Sequence, residues 1–373
     1  MPPAVIDVRQ ADDSRDVVHR AVQALAEGKL IALPTDTVYA LAASALNAAG
    51  VARLQKAKRA DDARPLTLAV KSVDDALDYA PTMSRLGRRL ARRCWPGPVT
   101  LVTEDAHPES LIRQLPLAVQ QIVVSQGTVG LRVPAHQIIL EVLRLLVGPV
   151  VLTSANRRGE PEALTAAEVV QAFGDDVQLV IDDGRSRLGQ ASSVVQVGEA
   201  DFTLLRPGVV PERTLKRLAS YILLFVCTGN TCRSPMAEGI ARKLLAERLG
   251  CRVEQLEDQG VTVLSAGIAA MMGGRASPDG VTVLSEMGID LSAHESQPLT
   301  EQLVRHADQI FTMTRSHRQV IVSQWPDAAA RTQLLCRDDS DVADPIGGPI
   351  EMYRRCAEQI HRELKARLDD LEV

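Results

Sequence analysis

Short aliphatic runs alternate with helical patterns along the whole chain. KLIALPT (29–35) is followed by VARLQKAKRA (51–60), PVVLTSAN (149–156) by LTAAEVVQAFG (164–174), and YILLFVCTG (221–229) by MAEGIARKLLAERLG (236–250). The first segment of each pair has the apolar character of a buried strand, and the second has apolar residues at helical spacing. Alternation of this kind predicts an α/β fold in both halves of the chain.

The pattern also indicates where one domain ends. TLLRPGVVP (203–211) is typical of a strand that stops at Pro and Gly, and PERTLKRLASY (211–221) of one short polar helix. A new strand pattern, 222–226, begins directly afterwards. Because 373 residues exceed one ordinary core, we predict two domains, 1–215 and 221–373.

Composition narrows the class of protein. The net charge is −5 with 24% charged residues, so any nucleic-acid contact needs a local basic patch. The six cysteines are widely spread, unlike the framework of a small secreted domain. The first residues lack a signal-peptide pattern, and no apolar run is long enough to span a bilayer. These features predict a cytoplasmic protein without a membrane partner.

The segment CTGNTCRS (227–234) follows a buried strand and precedes a helix that we expect to begin at Pro235. A loop in this position directs several backbone N–H groups into one concavity, and the helix dipole adds positive potential there. The geometry predicts a site for phosphate or another oxyanion.

The side chains of this loop suggest a covalent mechanism. Gly229 allows backbone to approach a ligand, and Asn230 tolerates the left-handed conformation that an anion nest needs. Arg233 would hold phosphate as a bidentate fork. We expect Cys227 to be a thiolate stabilised by this potential and by a hydrogen bond from Ser234. The thiolate would attack phosphorus and form a phospho-cysteine intermediate.

A leaving group needs a proton, and Asp344 in DVADPIGGPIEMY (341–353) is the candidate donor. Asp-Pro followed by Gly-Gly favours a rigid loop, which could lie over the cavity at the carboxyl edge of the sheet. Asp344 would be the general acid and then the base for the hydrolytic water. A turn-forming aspartate before proline is the alternative interpretation.

Residues 221–373 resemble the low-molecular-weight protein tyrosine phosphatase family, through C-x5-R-S and the late Asp-Pro. The resemblance implies a Rossmann-like parallel sheet and a cysteine-based phosphatase without a cofactor, acting on a phosphoprotein. Thr231 stands where tyrosine-specific members have an aliphatic residue, and Ile346 where they have an aromatic one. Both differences, with SAG at 265–267 and MTRSHRQVIVSQ at 313–324, are similar to bacterial protein-arginine phosphatases. Phosphoarginine is therefore favoured over phosphotyrosine, although Thr231 could be merely structural.

The resemblance also implies a reversible disulfide between Cys227 and Cys232, with a packed bystander thiol as the alternative. An arsenate reductase-like activity is the rival within this fold. It requires an additional resolving cysteine, and Cys251, Cys336 and Cys356 do not form an obvious one.

Polar residues cluster where aliphatic runs end in the first half, which suits an anionic ligand with many hydrogen bonds. The clusters are PTDTVYAL (34–41), KAKRADDARPLTL (56–68), WPGPVTLV (95–102), GTVGLRVPAH (127–136), TSAN (153–156), QASSVV (190–195) and LRPG (205–208). Together they resemble the Sua5/YrdC/YciO family over about residues 12–210. The resemblance implies an α/β domain with a twisted mixed sheet. It also implies L-threonylcarbamoyladenylate synthesis from L-threonine, bicarbonate and ATP with Mg²⁺, for tRNA modification.

Site roles follow from the same resemblance. Thr37 and Ser192 would contact threonine, and Arg132 would bind the threonine carboxylate. The residues that would contact ATP are Lys58, Thr128, Ser154 and Arg206, and Asn156 would support the loop that carries Ser154. The family pattern changes at Ala40, at Ala60, which stands where arginine belongs, and at Ala69, which replaces a histidine. Arg59 or Arg64 could substitute. A non-catalytic module that binds nucleotide or RNA is therefore an alternative for this domain.

Two runs of cations have a simpler interpretation. Lys56, Lys58 and Arg59 could be the solvated face of a helix whose Val51 and Leu54 point inward. Arg88, Arg89, Arg92 and Arg93 also favour a solvated helix face. If they instead line a groove, they form the patch that would contact RNA.

Overall fold

The computed structural model describes residues 2–58, 66–368 and 371, and the chain divides into two compact units, Met1–Leu218 and Ala219–Val373. Within the described residues, no helix combines the length and the apolar character needed to cross a membrane.

The first unit mixes strands and helices from end to end. Its strands are β1 (Ala4–Asp7), β2 (Ile31–Leu33), β3 (Ala40–Ser44), β4 (Thr67–Ala69), β5 (Val99–Glu104), β6 (Val124–Ser125), β7 (Thr128–Arg132), β8 (Val150–Ser154), β9 (Leu179–Asp182), β10 (Ser193–Val197) and β11 (Phe202–Arg206). Its helices are α1 (Ser14–Ala26), α2 (Ala48–Lys58), α3 (Val73–Tyr79), α4 (Arg85–Cys94), α5 (Leu117–Val123), α6 (Gln137–Leu145) and α7 (Ala166–Phe173), and α8 (Glu212–Ala219) follows at the boundary.

These strands form one sheet in the order β1-β9-β2-β3-β8-β4-β7-β5-β10-β11, with β6 paired to β7. Pairing is parallel in β4–β7 and β5–β10 but antiparallel in β3–β8 and β5–β7. The prediction of a mixed sheet is confirmed. Helices α1 and α6 place Val17, Leu25 and Ile139 against this sheet, which is the burial that their apolar spacing predicts.

The second unit is a smaller α/β structure. It contains β12 (Tyr221–Cys227), α9 (Arg233–Leu249), β13 (Val261–Gly267), α10 (Pro278–Glu286), α11 (Glu301–His306), β14 (Gln309–Thr312), α12 (Arg315–Gln324), β15 (Thr332–Leu334) and α13 (Ile350–Leu368). Its sheet has the order β13-β12-β14-β15, and every pair is parallel. This confirms the predicted parallel sheet, and its central strand β12 leads into the CTGNTCRS loop.

The start of α9 differs slightly from the prediction. The helix begins at Arg233 rather than Pro235, and Cys232 is its N-cap residue. Pro235 still lies in the first turn, where a backbone N–H has no partner within the helix, so its ring is tolerated. The earlier start places the Arg233 backbone in the helix and its side chain beside the loop. The helix ends at Leu249, and the C-cap residue Gly250 has a φ of +63°, the left-handed conformation that commonly terminates a helix.

Candidate active sites

The sulfur of Cys227 lies at the carboxyl end of β12 and faces the loop that follows. The residue is 2% exposed. Its Sγ accepts a hydrogen bond from the Asn230 backbone N–H at 3.3 Å and lies 3.0 Å from Ser234 Oγ. A buried sulfur that receives two donors is well placed to carry negative charge, which is what a nucleophilic thiolate requires.

Asn230 has a φ of +55°, which confirms its predicted left-handed conformation. Its Nδ2 donates to Ser234 Oγ at 2.9 Å and to Ser265 Oγ at 2.8 Å, so both amide hydrogens are used. Ser234 therefore keeps its own hydrogen, and Cys227 Sγ is its nearest acceptor. Ser265 in turn donates to Glu238 Oε2 at 2.6 Å. The other acceptor near this hydroxyl, Ala266 O, lies farther away at 3.4 Å, so the shorter contact favours donation to the sulfur.

The sequence interpretation missed the second half of this network. The sequence pattern predicts no role for Ser265, Glu238 or Gln297, yet the Gln297 backbone N–H donates to Asn230 Oδ1 at 2.9 Å. The SAG motif was the available signal, since its serine lies near the carboxyl end of β13, which pairs with β12.

Arg233 and Asp344 come together above the loop. Arg233 is buried, and its Nη2 pairs with Asp344 Oδ2 at 2.5 Å. Asp344 Oδ1 accepts from the Ile346 backbone N–H at 3.3 Å, and its side chain is 42% exposed. The candidate acid is therefore held by the cation that is predicted to bind phosphate. Ile346 itself is exposed.

His317 is a buried residue that the sequence interpretation also passed over. Its Nε2 lies 2.9 Å from Thr228 Oγ1, and its Nδ1 lies 3.0 Å from Thr314 Oγ1 at the start of α12. Burial, and then the charge of Arg233, lower the pKa of His317 to about 4. The neutral ring at pH 7 fastens the second residue of the loop to α12 without adding a charge.

The remaining loop residues have looser contacts. Thr231 Oγ1 lies 3.7 Å from Cys232 Sγ, and the same sulfur lies 3.7 Å from Tyr353 Oη. Cys227 and Cys232 are free thiols, so the oxidised pair stays a prediction. A Cβ on Gly229 would meet Thr231 Oγ1 at an ordinary 3.5 Å. The loop conformation alone does not require that glycine, and its use in ligand approach also stays a prediction.

Neither Cys336 nor Cys356 resembles a resolving cysteine. Both are packed in the core, at 1% and 3% exposure. Burial raises the pKa of both thiols, to about 12 for Cys356. Thiols that resist ionisation are poor partners for disulfide exchange, so neither of these two cysteines supports the arsenate reductase alternative.

In the first unit, Lys58 joins Ser154 and Asn156. Its Nζ donates to Ser154 O at 3.0 Å, to Asn156 O at 2.6 Å and to Asn156 Oδ1 at 3.0 Å, and Ser154 Oγ donates to Asn156 Oδ1 at 2.7 Å. Burial lowers the pKa of Lys58 to about 8. The solvated-face interpretation is therefore wrong for Lys58, although Val51 and Leu54 do point inward.

Arg132 joins Thr37 in a second cluster. Its Nη2 donates to Thr37 Oγ1 at 3.1 Å and pairs with Asp36 Oδ1 at 2.7 Å, and its Nε donates to Gly97 O at 3.2 Å. Thr37 Oγ1 also lies 2.9 Å from Thr35 Oγ1. Asp36 was not among the predicted residues, because its partner lies 96 positions away in the sequence.

A third cluster holds Ser192 and Arg206. Arg206 Nη2 donates to Ser192 O at 2.9 Å and to its Oγ at 3.2 Å, and Thr100 Oγ1 lies 3.1 Å from the same Oγ. The charge of Arg206 contributes to lowering the pKa of both Lys58 and Arg132, after burial. The three cations therefore share one electrostatic environment, which suits a polyanion.

Thr128 is placed differently. It is the first residue of β7 and donates to Ser125 O at 2.8 Å within its own hairpin. Arg132 ends the same strand, so about 13 Å of strand separates the two Cα atoms. Thr128 thus lies apart from the Arg132 cluster.

The buried arginine of α4 and the two alanines at changed family positions lie within the packed first unit. Arg93 is 7% exposed and donates to Leu218 O at 2.6 Å, so a solvated helix face is wrong for this residue. Its guanidinium satisfies a carbonyl within the packed structure. Ala40 and Ala69 are buried in β3 and β4. Ala60, and the candidate substitutes Arg59 and Arg64, lie outside the described residues.

Comparison with known proteins gives a separate match for each half. The Sua5/YciO/YrdC family model, described as telomere recombination, matches residues 23–208. The low molecular weight phosphotyrosine protein phosphatase model matches residues 222–372.

Curated relatives agree with both matches. A threonylcarbamoyl-AMP synthase from Pyrococcus abyssi is 35% identical over 52% of this chain, which spans about half of that relative (55%). A putative threonylcarbamoyl-AMP synthase from Mycobacterium tuberculosis is 34% identical over 53% of this chain and 86% of its own length. A protein-arginine-phosphatase from Geobacillus stearothermophilus is 40% identical over 38% of this chain and 88% of its own length.

A solved structure of P. abyssi Sua5 in complex with L-threonine has a TM-score of 0.52 and 24% identity. It covers 71% of this chain and 92% of its own, and at this identity it shows the fold alone. The family models and the curated relatives show that the chain is a fusion: its first half belongs to the Sua5/YciO/YrdC family and its second half to the low molecular weight phosphotyrosine protein phosphatase family.

Proposed function

We propose that the second domain, 221–373, is a cysteine-dependent protein phosphatase that prefers phosphoarginine. The observation that carries the proposal is the pair of donors on Cys227 Sγ, from the Asn230 N–H and from Ser234. The sulfur attacks phosphorus, the P–N bond breaks, and the departing nitrogen takes a proton from Asp344. Water then attacks the phospho-cysteine and gives its proton to Asp344, which releases phosphate and restores the thiolate.

The preference for phosphoarginine is supported by the names of similar proteins and by the side chain of Thr231. Relatives from G. stearothermophilus and Bacillus subtilis, each 40% identical, are called protein-arginine-phosphatase, whereas a 37% identical Ralstonia relative is called a probable protein-tyrosine-phosphatase. Thr231 has a partly exposed side chain in the loop. Its hydroxyl can orient the hydrolytic water and narrow the pocket against a phenyl ring.

We expect Thr231→Ile to shift the ratio of kcat/KM for phosphoarginine over phosphotyrosine toward phosphotyrosine, by about 10-fold or more. The isoleucine removes the hydroxyl and offers an apolar wall to a phenol. Both substrates are assayed side by side on the full chain, with Thr231→Ser as the control that keeps the hydroxyl. An unchanged ratio removes Thr231 as the selector and leaves the phosphatase proposal intact.

We also propose that the first domain, 1–215, is an L-threonylcarbamoyladenylate synthase that uses L-threonine, bicarbonate and ATP and supplies tRNA modification. Lys58, Arg132 and Arg206 supply the positive field, and Ser154 and Asn156 hold Lys58 in place. Thr37 and Ser192 face threonine, and Thr128 would contact the nucleotide from the β6–β7 hairpin. Adenylyl transfer needs mainly positioning and charge neutralisation, which such an array provides.

Magnesium enters this proposal only as part of the substrate. Within the described residues, no group of three or more His, Cys, Asp or Glu side chains could hold a metal ion. Mg²⁺ usually keeps several waters and binds through substrate phosphates, so it would arrive with ATP.

Isotope exchange between pyrophosphate and ATP tests the synthase. We expect exchange that depends on both L-threonine and bicarbonate. Because the pKa of Lys58 is about 8, the KM for ATP should rise as the pH increases through 8, where the ammonium loses its charge. Lys58→Arg, whose guanidinium stays charged, should remove this pH dependence. Absent exchange with intact nucleotide or RNA binding would instead favour the non-catalytic module.

A further inference from the structure

Asp36 contains a buried oxygen without a partner. The residue is 4% exposed, and Oδ1 accepts from Arg132 Nη2 at 2.7 Å and from the Ala135 backbone N–H at 3.0 Å. These two bonds fix the plane of the carboxylate. Its other oxygen, Oδ2, is fully buried and has no hydrogen-bond partner among the described residues. Leaving such an atom unpaired is costly, so a ligand that donates to it would be favoured.

The guanidinium opposite is also incompletely used. Arg132 Nε donates to Gly97 O, and Nη2 donates to Asp36 and Thr37. Its Nη1 bonds to none of the residues that the structure describes. Among the described residues, the cluster therefore offers a free donor on Arg132 and a free acceptor on Asp36, and the Thr37 hydroxyl lies beside Arg132.

Charge balance decides what such a cluster can bind. Arg132 and Asp36 already neutralise each other in a buried site. A lone carboxylate on Arg132 would place two anions on one guanidinium, and Arg206 would act on the second anion only through its electrostatic field. His136 does not relieve this, because burial lowers its pKa and its ring is bonded to Asp183 at 3.3 Å. A zwitterion matches both partners and leaves no charge unpaired.

We propose that Asp36 Oδ2 binds the α-ammonium group of the amino-acid substrate, while Arg132 Nη1 binds its carboxylate. This inference rests on the proposed synthase function and adds the group that distinguishes an amino acid from a hydroxy acid. Asp36 is then a substrate-binding residue as well as the partner that orients Arg132.

The test is calorimetric binding to the full chain, with two probes. One is L-threonine, and the other is 2,3-dihydroxybutanoate of matching stereochemistry, in which a hydroxyl replaces the ammonium. Asp36→Asn keeps an oxygen for Arg132 and Ala135 but turns the second position into a donor. We expect this variant to bind threonine roughly 10- to 100-fold more weakly and to bind dihydroxybutanoate nearly as well as the wild type.

Asp105→Asn is the matched control. Asp105 is also buried, pairs with Arg113 at 2.7 Å, and has an unpartnered Oδ1. The Asp105→Asn variant should leave the affinities for threonine and for dihydroxybutanoate unchanged. Equal weakening of both probes in Asp36→Asn would show that Asp36 only orients Arg132, which overturns this inference but not the synthase. Wild-type protein that binds neither probe would overturn the synthase proposal together with it.

Discussion

Replacing Cys227 by serine is expected to lower the phosphatase kcat by at least about 10⁴-fold while oxyanion binding survives. The serine hydroxyl stays protonated near neutrality and cannot replace the thiolate as nucleophile. Arg233, the loop amides and the start of α9 are unchanged, so the anion site persists. Turnover is measured on a phosphoarginine protein, and binding of inorganic phosphate or vanadate by calorimetry.

A matched change elsewhere separates chemistry from folding. Cys251 is a half-buried free cysteine beyond the end of α9, and Cys251→Ser should keep full turnover. Thermal unfolding of both variants shows whether either change disturbs the core. Turnover retained in Cys227→Ser would refute the phospho-cysteine mechanism outright. Loss of oxyanion binding along with turnover would instead indicate that the sulfur holds the loop together.

The second large effect is expected from Asp344→Asn, which should reduce kcat by roughly 10²- to 10⁴-fold. In the structure Asp344 pairs with Arg233. A phosphate bound in the loop would take that guanidinium and leave the carboxyl of Asp344 free to face the leaving group. Asparagine has similar size but no proton to give.

The rate loss measured on substrates with different leaving groups distinguishes a general acid from a structural residue. A substrate whose leaving group needs no proton, such as an activated aryl phosphate, should lose much less rate in Asp344→Asn than phosphoarginine does. Asp341→Asn is the control on the same loop, since Asp341 accepts from the Arg315 backbone N–H at 2.8 Å and does not pair with Arg233. Equal losses on both substrates would contradict the assignment of Asp344 as the acid.

Local patterns predicted the secondary structure around the phosphatase loop closely. A continuous run of apolar residues predicted β12. Residues 227–234 predicted an anion site, because a nucleophile, a glycine, an asparagine and a cation lie within eight positions. The predicted start of α9 was wrong by two residues, because proline is tolerated at several positions of a first helical turn. Such chemistry is readable because neighbours in sequence are neighbours in space.

Charged helix faces were harder to judge. Arg93 and Lys58 both have the sequence spacing of solvated cations, yet each donates to carbonyl oxygens of distant segments. A helical pattern shows which residues share a face but not whether another segment covers that face. Exposure is a tertiary property, and only the packed structure assigns it.

The sequence by itself determined the two-part organisation of strands and helices, the anion loop with Cys227 and Arg233, and the residue types of the first site. Only the tertiary structure decided which groups complete them: Ser265 for Asn230, His317 for Thr228, and Asp36 for Arg132. These partners lie 35, 89 and 96 positions apart. Hydrogen bonds act over about 3 Å, so such pairs exist only once sheet register and loop paths bring distant segments together.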